Sequence, residues 1–239
     1  MGFWGGLLHS VLLHQLYYPS RPELVFEFSG STLTFGCREF CIITGLPNVG
    51  GTPTVSTLDL PPSSNRLLRM YGVAGQLKRF ELHNAFVGCK DKLDQVKLGV
   101  AYLVEGLIFA KAMSIFVRHE ILHLVDDVAA FNTVAWGKLS WEFMSPTLKQ
   151  CLVNKRKTGL RGTYAVKGFY DALSVWAMEA IPELAKVGAE KVGEKFPRMV
   201  NWNMGNRAAY SALMATVFKQ VMSSYINYFS DFGYFSVFP

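Results

Sequence analysis

Two kinds of hydrophobic pattern divide the chain into a β-rich segment near its start and a long helical remainder. Leu24–Phe28 and Thr32–Phe35 alternate apolar and polar residues on either side of Gly30, which predicts the two strands of a hairpin. A short helix is expected next, over Arg38–Thr44. It should end at Gly45, because glycine readily adopts the left-handed conformation of a helix C-cap. The pattern therefore places one small sheet near the start and helices after it.

Apolar residues in most of the rest of the chain recur at helical spacing. The longest apolar stretch, Val96–Val117, predicts a buried central helix, with Lys97, Glu105, Lys111 and Arg118 on the half of its circumference that faces water. The first three charges would cost several kcal/mol in a bilayer, at roughly 2.5–3.5 kcal/mol per residue, so we do not expect a membrane span. Further helices are expected over residues 7–16, 121–125, 140–152, 170–180 and 210–221, with loops over 47–64 and 154–162.

Composition narrows the fold class. Half of the residues are hydrophobic and 14% are aromatic, so the chain can bury enough surface to offset the entropy lost on ordering. We predict an α+β, mostly α-helical protein, with one helical globular domain and a small N-terminal β-hairpin. Residues 1–23 would form an N-terminal helix of that domain, residues 24–224 its body, and residues 225–239 an aromatic tail without a recognisable period.

Charge, targeting patterns and cysteines add little chemistry. The net charge of +6 favours acidic partners. The apolar start lacks the positive region and cleavage site of a signal peptide, so we expect an intracellular protein, with a nuclear location left open. The four cysteines form no C-x-x-C pair, and we expect reduced core thiols. A cysteine nucleophile that pairs with His83 is a weaker alternative. The cysteines are Cys37, Cys41, Cys89 and Cys151.

Several short motifs follow one another in a recognisable order. They are Glu39-Phe40 before Ile42-Ile43-Thr44-Gly45-Leu46, Asp126-Asp127 with Phe131 and Trp136-Gly137, Gly168-Phe169 with Trp176 and Glu179-Ala180-Ile181-Pro182, and Pro197-Arg198 with Trp202. Together, over roughly residues 24–202, they resemble a plant family known as domain of unknown function 1985. The resemblance implies a plant protein of a kind often encoded in transposon-derived genes, in which the domain sometimes precedes a cysteine protease domain that cleaves ubiquitin-like modifiers. The family has no established catalytic or binding residues, so the resemblance implies none here.

The residue types in these motifs predict structural roles. Trp136, Trp176 and Trp202 are expected to anchor the core, because tryptophan buries a large area; a stacking platform for bases or partner aromatics is the alternative. Trp136 with Gly137 should break a helix, Trp202 should close a strand over residues 198–202, and Glu39 should be exposed. The residues expected to bury one face of the short helix are Phe40, Ile42, Ile43 and Leu46.

One motif carries the pattern of a metal site. His119-Glu120-Ile121-Leu122-His123 is a literal H-E-x-x-H, in which two imidazoles on one helix face share a zinc ion and the glutamate acts as general base. Glu142 lies at a sequence distance that suits the third ligand. The companion residues of a metzincin are missing, since Asp126 and Ala129 stand where glycine and histidine are required. We therefore interpret the motif as a coincidence and predict no catalytic residues, no metal and no cofactor.

A basic segment is the best candidate for binding. It has no acidic residue between Glu142 and Asp171, and its glycines allow a mobile loop that neutralises phosphates. A solvated loop without a binding role is the alternative, since no nucleic-acid fold signature accompanies it. The candidate nucleic-acid-binding residues are Lys149, Lys155, Arg156, Lys157, Arg161 and Lys167.

Three functional hypotheses follow from these observations. The first is a non-catalytic interaction domain of a transposon-derived plant protein, and the second is weak, sequence-independent nucleic-acid binding through the basic loop. The third is a zinc-dependent hydrolase built on His119 and His123. The partner is unknown, with protein and nucleic acid both open, and no membrane partner is expected.

Overall fold

The computed structural model describes residues 4–28, 30–51, 61–110, 112–157, 166–185, 187–205 and 209–218. The predicted loop over 52–60, most of the basic loop beyond Lys157 and the aromatic tail lie outside these residues. The α+β, mostly helical class predicted from the sequence is confirmed. The helices and strands are α1 (Gly5–Leu13), β1 (Gln15–Leu16), β2 (Leu24–Phe28), β3 (Ser31–Phe35), α2 (Cys37–Thr44), α3 (Arg66–Tyr71), α4 (Arg79–Gly88), α5 (Lys92–Leu103), α6 (His119–Asp126), α7 (Val128–Thr133), α8 (Trp136–Lys157), α9 (Asp171–Ala180), α10 (Pro182–Ala185), β4 (Ala189–Lys191), β5 (Trp202–Met204) and α11 (Tyr210–Thr216).

The described residues group into two compact units. Unit 1 draws on Met1–Gly45, Lys149–Arg161 and Asp171–Pro239, and unit 2 on Leu46–Leu148 and Gly162–Tyr170. Helix α8 contributes residues to both units, because the division falls between Leu148 and Lys149. The interpretation of residues 24–224 as a single domain stays a prediction. Among the described residues, no helix has both the length and the apolar character needed to cross a membrane.

Unit 1 is built on the predicted hairpin. Strands β2 and β3 pair antiparallel, with Leu24 opposite Phe35 and Phe26 opposite Leu33. Phe26 is fully buried, and the rings of Phe26 and Phe35 lie 5.3 and 5.2 Å from the ring of Trp176 on α9. The hairpin prediction is confirmed. A third strand, β1, pairs with β2, and the sequence pattern missed it because two residues cannot display an alternation.

Helix α2 confirms its predicted end and corrects two details. Gly45 adopts a φ of 74°, and a Cβ there would lie 2.7 Å from the Cβ of Pro197, so both conformation and space require glycine. Ile42 is 40% exposed, whereas Phe40 and Ile43 are buried, because adjacent positions on a short helix point to different sides. Glu39 is half-buried rather than exposed, since its carboxylate accepts the backbone N–H of Gly36 at 2.9 Å.

Unit 2 is a helical assembly. Its core includes the fully buried side chains of Leu67 on α3, Leu82 on α4, Leu98 on α5 and Leu122 on α6. The start of the predicted loop 47–64 packs against the start of α8: the Gly51 N–H donates to the Thr133 carbonyl at 2.8 Å, and the Gly137 N–H donates to the Pro47 carbonyl at 2.9 Å. The sequence pattern did not predict α3 or α4.

The single helix predicted over Val96–Val117 is wrong. Helix α5 begins earlier, at Lys92, and passes into a π-helical turn over Val104–Ile108. Ala110 then takes a φ of 43°, which ends the helical path. The following segment pairs in an extended manner with residues 77–80, where the Val117 N–H donates to the Leu77 carbonyl at 2.8 Å. Long-range backbone pairing, invisible to a local period, therefore replaces the last third of the expected helix.

Three boundaries in the second half of the chain also differ from the predictions. Trp136 begins α8 instead of breaking a helix, and α8 continues to Lys157, so Lys155, Arg156 and Lys157 are helical. Trp202 begins β5 instead of closing a strand, because Arg198–Asn201 forms a 3-10 turn. The buried Asn201 side chain stabilises that turn by bonding both the N–H and the carbonyl of Lys195, each at 2.7 Å.

Candidate functional site

The His-Glu-x-x-His motif lies on helix α6, as predicted. His119 begins the helix and His123 follows one turn later, with 6.2 Å between their ring centroids. Both side chains are half-buried. Burial and the neighbouring His119 lower the pKa of His123, so its imidazole is neutral at pH 7. The helix therefore presents two imidazoles on one side, in the arrangement that the sequence suggested.

The third ligand does not join them. Glu142 is exposed on α8, and its carboxylate lies 4.0 Å from the ammonium of Lys138. Glu120 lies beside its neighbour, with 3.5 Å between its Oε2 and the Nδ1 of His119. Over the described parts of the chain, no three His, Cys, Asp or Glu side chains form a group that would hold a metal ion. The geometry thus supplies a histidine pair without the carboxylate that a zinc peptidase of this type requires.

Asp126, at the end of α6, belongs to a network of ion pairs and hydrogen bonds. Arg66 on α3 donates two hydrogen bonds to Asp94, from Nη1 at 2.9 Å and from Nη2 at 2.5 Å. The same guanidinium donates to both carboxylate oxygens of Asp126, at 2.8 and 3.2 Å. Lys97 adds a bond of 2.7 Å to Asp126, and the Tyr71 hydroxyl donates to Asp94 at 2.9 Å. One arginine therefore ties three helices, α3, α5 and α6, through two carboxylates.

This network fixes the protonation of its members. Hydrogen bonds from Arg66 hold the pKa of Asp94 and of Asp126 below the ordinary value for aspartate, against the opposing effect of burial. The Asp94 side chain is only 5% exposed, whereas that of Arg66 is 38% exposed. Both carboxylates are therefore ionised near neutral pH and accept hydrogen bonds from Arg66.

Glu105 is a second buried carboxylate that an arginine holds by hydrogen bonds. Glu105, in the π-helical turn, is 1% exposed and accepts hydrogen bonds at 3.2 Å from the backbone N–H of Arg118 and at 3.1 Å from its Nε. The Arg118 guanidinium lies 3.8 Å from the centroid of the Phe109 ring. The sequence placed Lys97, Glu105, Lys111 and Arg118 on a face toward water, and Lys111 lies outside the described residues. In the structure, Glu105 is buried, and Lys97, Glu105 and Arg118 are paired with residues distant in sequence.

The surface that the sequence did not predict is an apolar row along α5 and the turn after it. Leu93 and Val96 are each 63% exposed, Leu103 is 59% exposed and Leu107 is 45% exposed, while Val100 between them is half-buried. The spacing of three and four residues places Leu93, Val96, Val100 and Leu103 on one side of α5, opposite the buried Leu98 and Ala101. Leu107 follows in the π-helical turn. We call these five residues the apolar row. Isolated exposed leucines are common, whereas a continuous row on one helix face is typical of a binding surface.

The chain matches a known protein family over more than half of its length. Residues 12–147 match the family model described as "Domain of unknown function (DUF1985)", which covers more than half of the chain. The chain belongs to this family. No curated protein and no solved structure matches the chain.

The DUF1985 match includes the His-Glu-x-x-His motif, the Arg66 network and the apolar row. It also includes the motif Asp126-Asp127 with Phe131 and Trp136, and the structure shows what these residues do. The Asp127 side chain caps α7 by accepting the Ala130 N–H at 3.0 Å. The Trp136 indole donates to the Phe131 carbonyl at 3.1 Å, and their rings lie 4.8 Å apart. Every member of this motif therefore has a structural role inside unit 2.

Three residues of the later motifs, Glu179, Arg198 and Trp202, lie beyond the DUF1985 match and belong to a second ion-pair cluster, in unit 1. Glu179 accepts the Trp202 indole N–H at 2.8 Å and lies 3.6 Å from Lys191 and 3.9 Å from Arg198. Glu194 pairs with the same two cations, at 2.7 and 3.1 Å.

Trp136, Trp176 and Trp202 are all buried, which confirms them as core anchors and excludes a stacking platform.

The basic segment also begins just after the DUF1985 match. Lys149, in unit 1, donates a hydrogen bond to the carbonyl of Arg21, and burial lowers its pKa. Lys155, Arg156 and Lys157 belong to the last turn of α8. Lys167 is exposed, and Arg161 lies outside the described residues. Their role in binding nucleic acid stays a prediction.

None of the four cysteines forms a disulfide bond; Cys41 and Cys151 are buried, and Cys37 and Cys89 are half-buried. Burial, together with the neighbouring Cys37, raises the pKa of Cys41 to about 12, which makes it a poor nucleophile. His83, in unit 2, lies against Tyr102 with 5.2 Å between ring centroids. A cysteine–histidine nucleophile stays an untested alternative with no support from Cys41.

Proposed function

We propose that the chain acts as a non-catalytic protein-interaction domain, and that the apolar row of α5 is its contact surface. The observation that carries the proposal is the exposure of Leu93, Val96 and Leu103 on one helix face while the opposite face is buried. A seam of this spacing fits another helix, whose side chains insert between successive turns. The resemblance described above implies the setting, a transposon-derived plant protein.

Two further observations favour binding over catalysis. The acidic groups with low pKa values are occupied by Arg66 and Lys97, and the histidine pair of α6 has no third ligand among the described residues. Groups that perform acid–base chemistry need a pKa matched to the task, and the pKa values of Asp94 and Asp126 are lowered away from neutral pH.

A designed helical peptide tests the proposal directly. The probe is about 18 residues long, or about 27 Å of helix, with leucines at three-four spacing and an uncharged glutamine rim. Fluorescence anisotropy should show saturable binding to the wild-type protein and loss of at least about tenfold in affinity for the double variant Val96→Glu/Leu103→Glu. The matched control is Val49→Glu/Val73→Glu, which changes two exposed valines away from the row and should bind like the wild type. Equal binding by both variants would contradict the proposal.

A second candidate function is weak, sequence-independent binding of nucleic acid through the basic segment. It is favoured by the absence of any acidic residue in the sequence between Glu142 and Asp171. Replacement of Lys155, Arg156 and Lys157 by serine should flatten the dependence of log affinity on log salt by up to about three units for duplex DNA. An unchanged salt slope in a titration over several salt concentrations would remove this candidate.

A further inference from the structure

We infer that the occupant of the apolar row is an acidic amphipathic helix of another protein, docked so that its carboxylates meet Lys90 and Lys92. This inference rests on the proposed function and adds the charge of the partner. It follows from three properties of the row: its shape, the charges at its edges and its size.

The shape selects a helix. The row runs from Leu93 to Leu107, which is about 20 Å at 1.5 Å per residue. Its members recur at three and four residues, and this repeat matches the two-turn repeat of a second helix laid along it. An extended strand repeats every second residue and would meet only some of these side chains.

The charged side chains at the edges of the row that have no ion-pair partner among the described residues are two lysines. Lys92 lies beside the row on one side, and Lys90 precedes the helix; both are exposed, and neither pairs with a carboxylate of the described residues. Lys97 lies beside the row on the other side, but Asp126 neutralises it at 2.7 Å. Asp91, between the two lysines in the sequence, accepts the Asp94 N–H at 2.8 Å as a helix cap and forms no ion pair with either lysine. A partner that supplies carboxylates near Lys90 and Lys92 therefore gains attraction that the chain does not satisfy internally.

A second copy of the chain does not fit these charges. In a parallel pairing of two α5 helices, Lys92 of one copy would face Lys97 of the other, and like charges at such positions repel. In an antiparallel pairing, Lys92 would face the region of Gly106, where the Arg79 guanidinium lies against the glycine, so a cation again meets a cation. The neighbouring Glu105 is buried and bonded to Arg118. Neither arrangement supplies the missing carboxylate.

The size of the row agrees with a transient partner. A stable protein–protein interface buries about 800 Å² on each side. Four side chains that are between 45% and 63% exposed, with one half-buried valine, offer much less than that. A short helix with a charge-assisted encounter suits such a surface better than a permanent dimer does.

The experiment compares three designed peptides that share the leucine seam and differ only in the rim residues: glutamate, glutamine or lysine. At about 50 mM salt, where the Debye length exceeds 10 Å, the glutamate peptide should bind about tenfold more tightly than the lysine peptide. At about 1 M salt the difference should disappear, because the Debye length falls to about 3 Å. The variant Lys90→Glu/Lys92→Glu should reverse the order of the glutamate and lysine peptides.

Each other outcome is decisive. Equal binding of all three peptides would overturn the acidic partner but leave the apolar row as a helix-binding surface. No binding by any peptide, with a monomer in light scattering, would overturn both proposals. A dimer that Val96→Glu/Leu103→Glu dissociates would identify a second copy as the occupant and would also overturn the acidic partner.

Discussion

The two ion-pair clusters of this protein use the same groups in different surroundings. In unit 2, Arg66 holds Asp94 and Asp126, and the Asp94 side chain is 5% exposed. In unit 1, Lys191 and Arg198 hold Glu194, which is 70% exposed. Bond lengths are similar in the two clusters, so distance alone does not distinguish them. Their surroundings do, because a charge that has lost its water depends on its partner, whereas an exposed charge has water as an alternative.

The largest effect is expected from Asp94→Ala. The substitution removes the bidentate partner of Arg66 and the acceptor of the Tyr71 hydroxyl. Breaking a buried pair costs about 3–5 kcal/mol, and because the Arg66 side chain is 38% exposed we expect the lower end, about 3 kcal/mol of unfolding free energy. Urea denaturation followed by circular dichroism measures it. A loss below about 1 kcal/mol would mean that solvent screens this network as well as the surface cluster.

Acid should act on the same network with a smaller effect. The folded pKa values of Asp94 and Asp126 are lowered, chiefly by Arg66. Their stabilising contribution is therefore complete above the unfolded value of about 3.9 and is lost as the pH falls through the lower folded values. His123, whose folded pKa is also lowered, adds a shallower loss that begins below its unfolded value of about 6.5.

Two measurements check this pH dependence. Urea denaturation at a series of pH values should show the shallow loss first and the steeper loss below about pH 4, and His123→Gln should reduce the shallow part. Carbon NMR of the aspartate carboxyl groups should show two residues that titrate well below the others. Ordinary titration of all carboxyl groups would contradict the assignment of the steep loss to the Arg66 network.

A third prediction concerns the most buried bond of the unit 1 cluster. The Trp202 indole donates to Glu179 at 2.8 Å, and the Glu179 side chain is 21% exposed. A double-mutant cycle with Trp202→Phe and Glu179→Ala should give a coupling energy of about 1 kcal/mol, between the values for buried and exposed charged bonds. Trp176→Phe combined with Glu179→Ala is the matched control, since Trp176 packs on Phe26 and Phe35, and its coupling should be near zero.

The contrast between local and distant partners also explains what the sequence predicted. The hairpin of β2 and β3 and the end of α2 at Gly45 were predicted correctly, because alternation and glycine conformation act within a few residues. The water-facing side predicted for Val96–Val117 was wrong, because Lys97 and Glu105 are satisfied by Asp126 and Arg118, which a local period does not reveal. Pairings at 13 and 29 residues of separation depend on the fold.

The apolar row was hidden by the same ambiguity. Leu93, Val96 and Leu103 form a three-four repeat in the sequence, but Leu98 and Ala101 give α5 a second apolar side. The sequence of a helix that is apolar on two sides predicts burial on both of them. Only the packing of α4 and α6 against α5 shows which apolar side is exposed to solvent. The histidine pair of α6 shows the opposite case. The sequence predicted the spacing of the two imidazoles, but it did not show whether a third ligand lies near them, and none does among the described residues.

The smallest effect is expected from Glu194→Ala. The carboxylate forms two ion pairs, at 2.7 Å with Lys191 and at 3.1 Å with Arg198. The first distance is shorter than both hydrogen bonds from Arg66 to Asp126, which are 2.8 and 3.2 Å long. Solvent competes for every one of these groups, so we expect no measurable change in the urea midpoint at physiological salt. The double variant Glu194→Ala/Asp94→Ala should then be as stable as Asp94→Ala alone, since the two sites share no partner. If the midpoint shift for Glu194→Ala were as large as that for Asp94→Ala, the exposure of the carboxylate would not determine how much each cluster stabilises the protein.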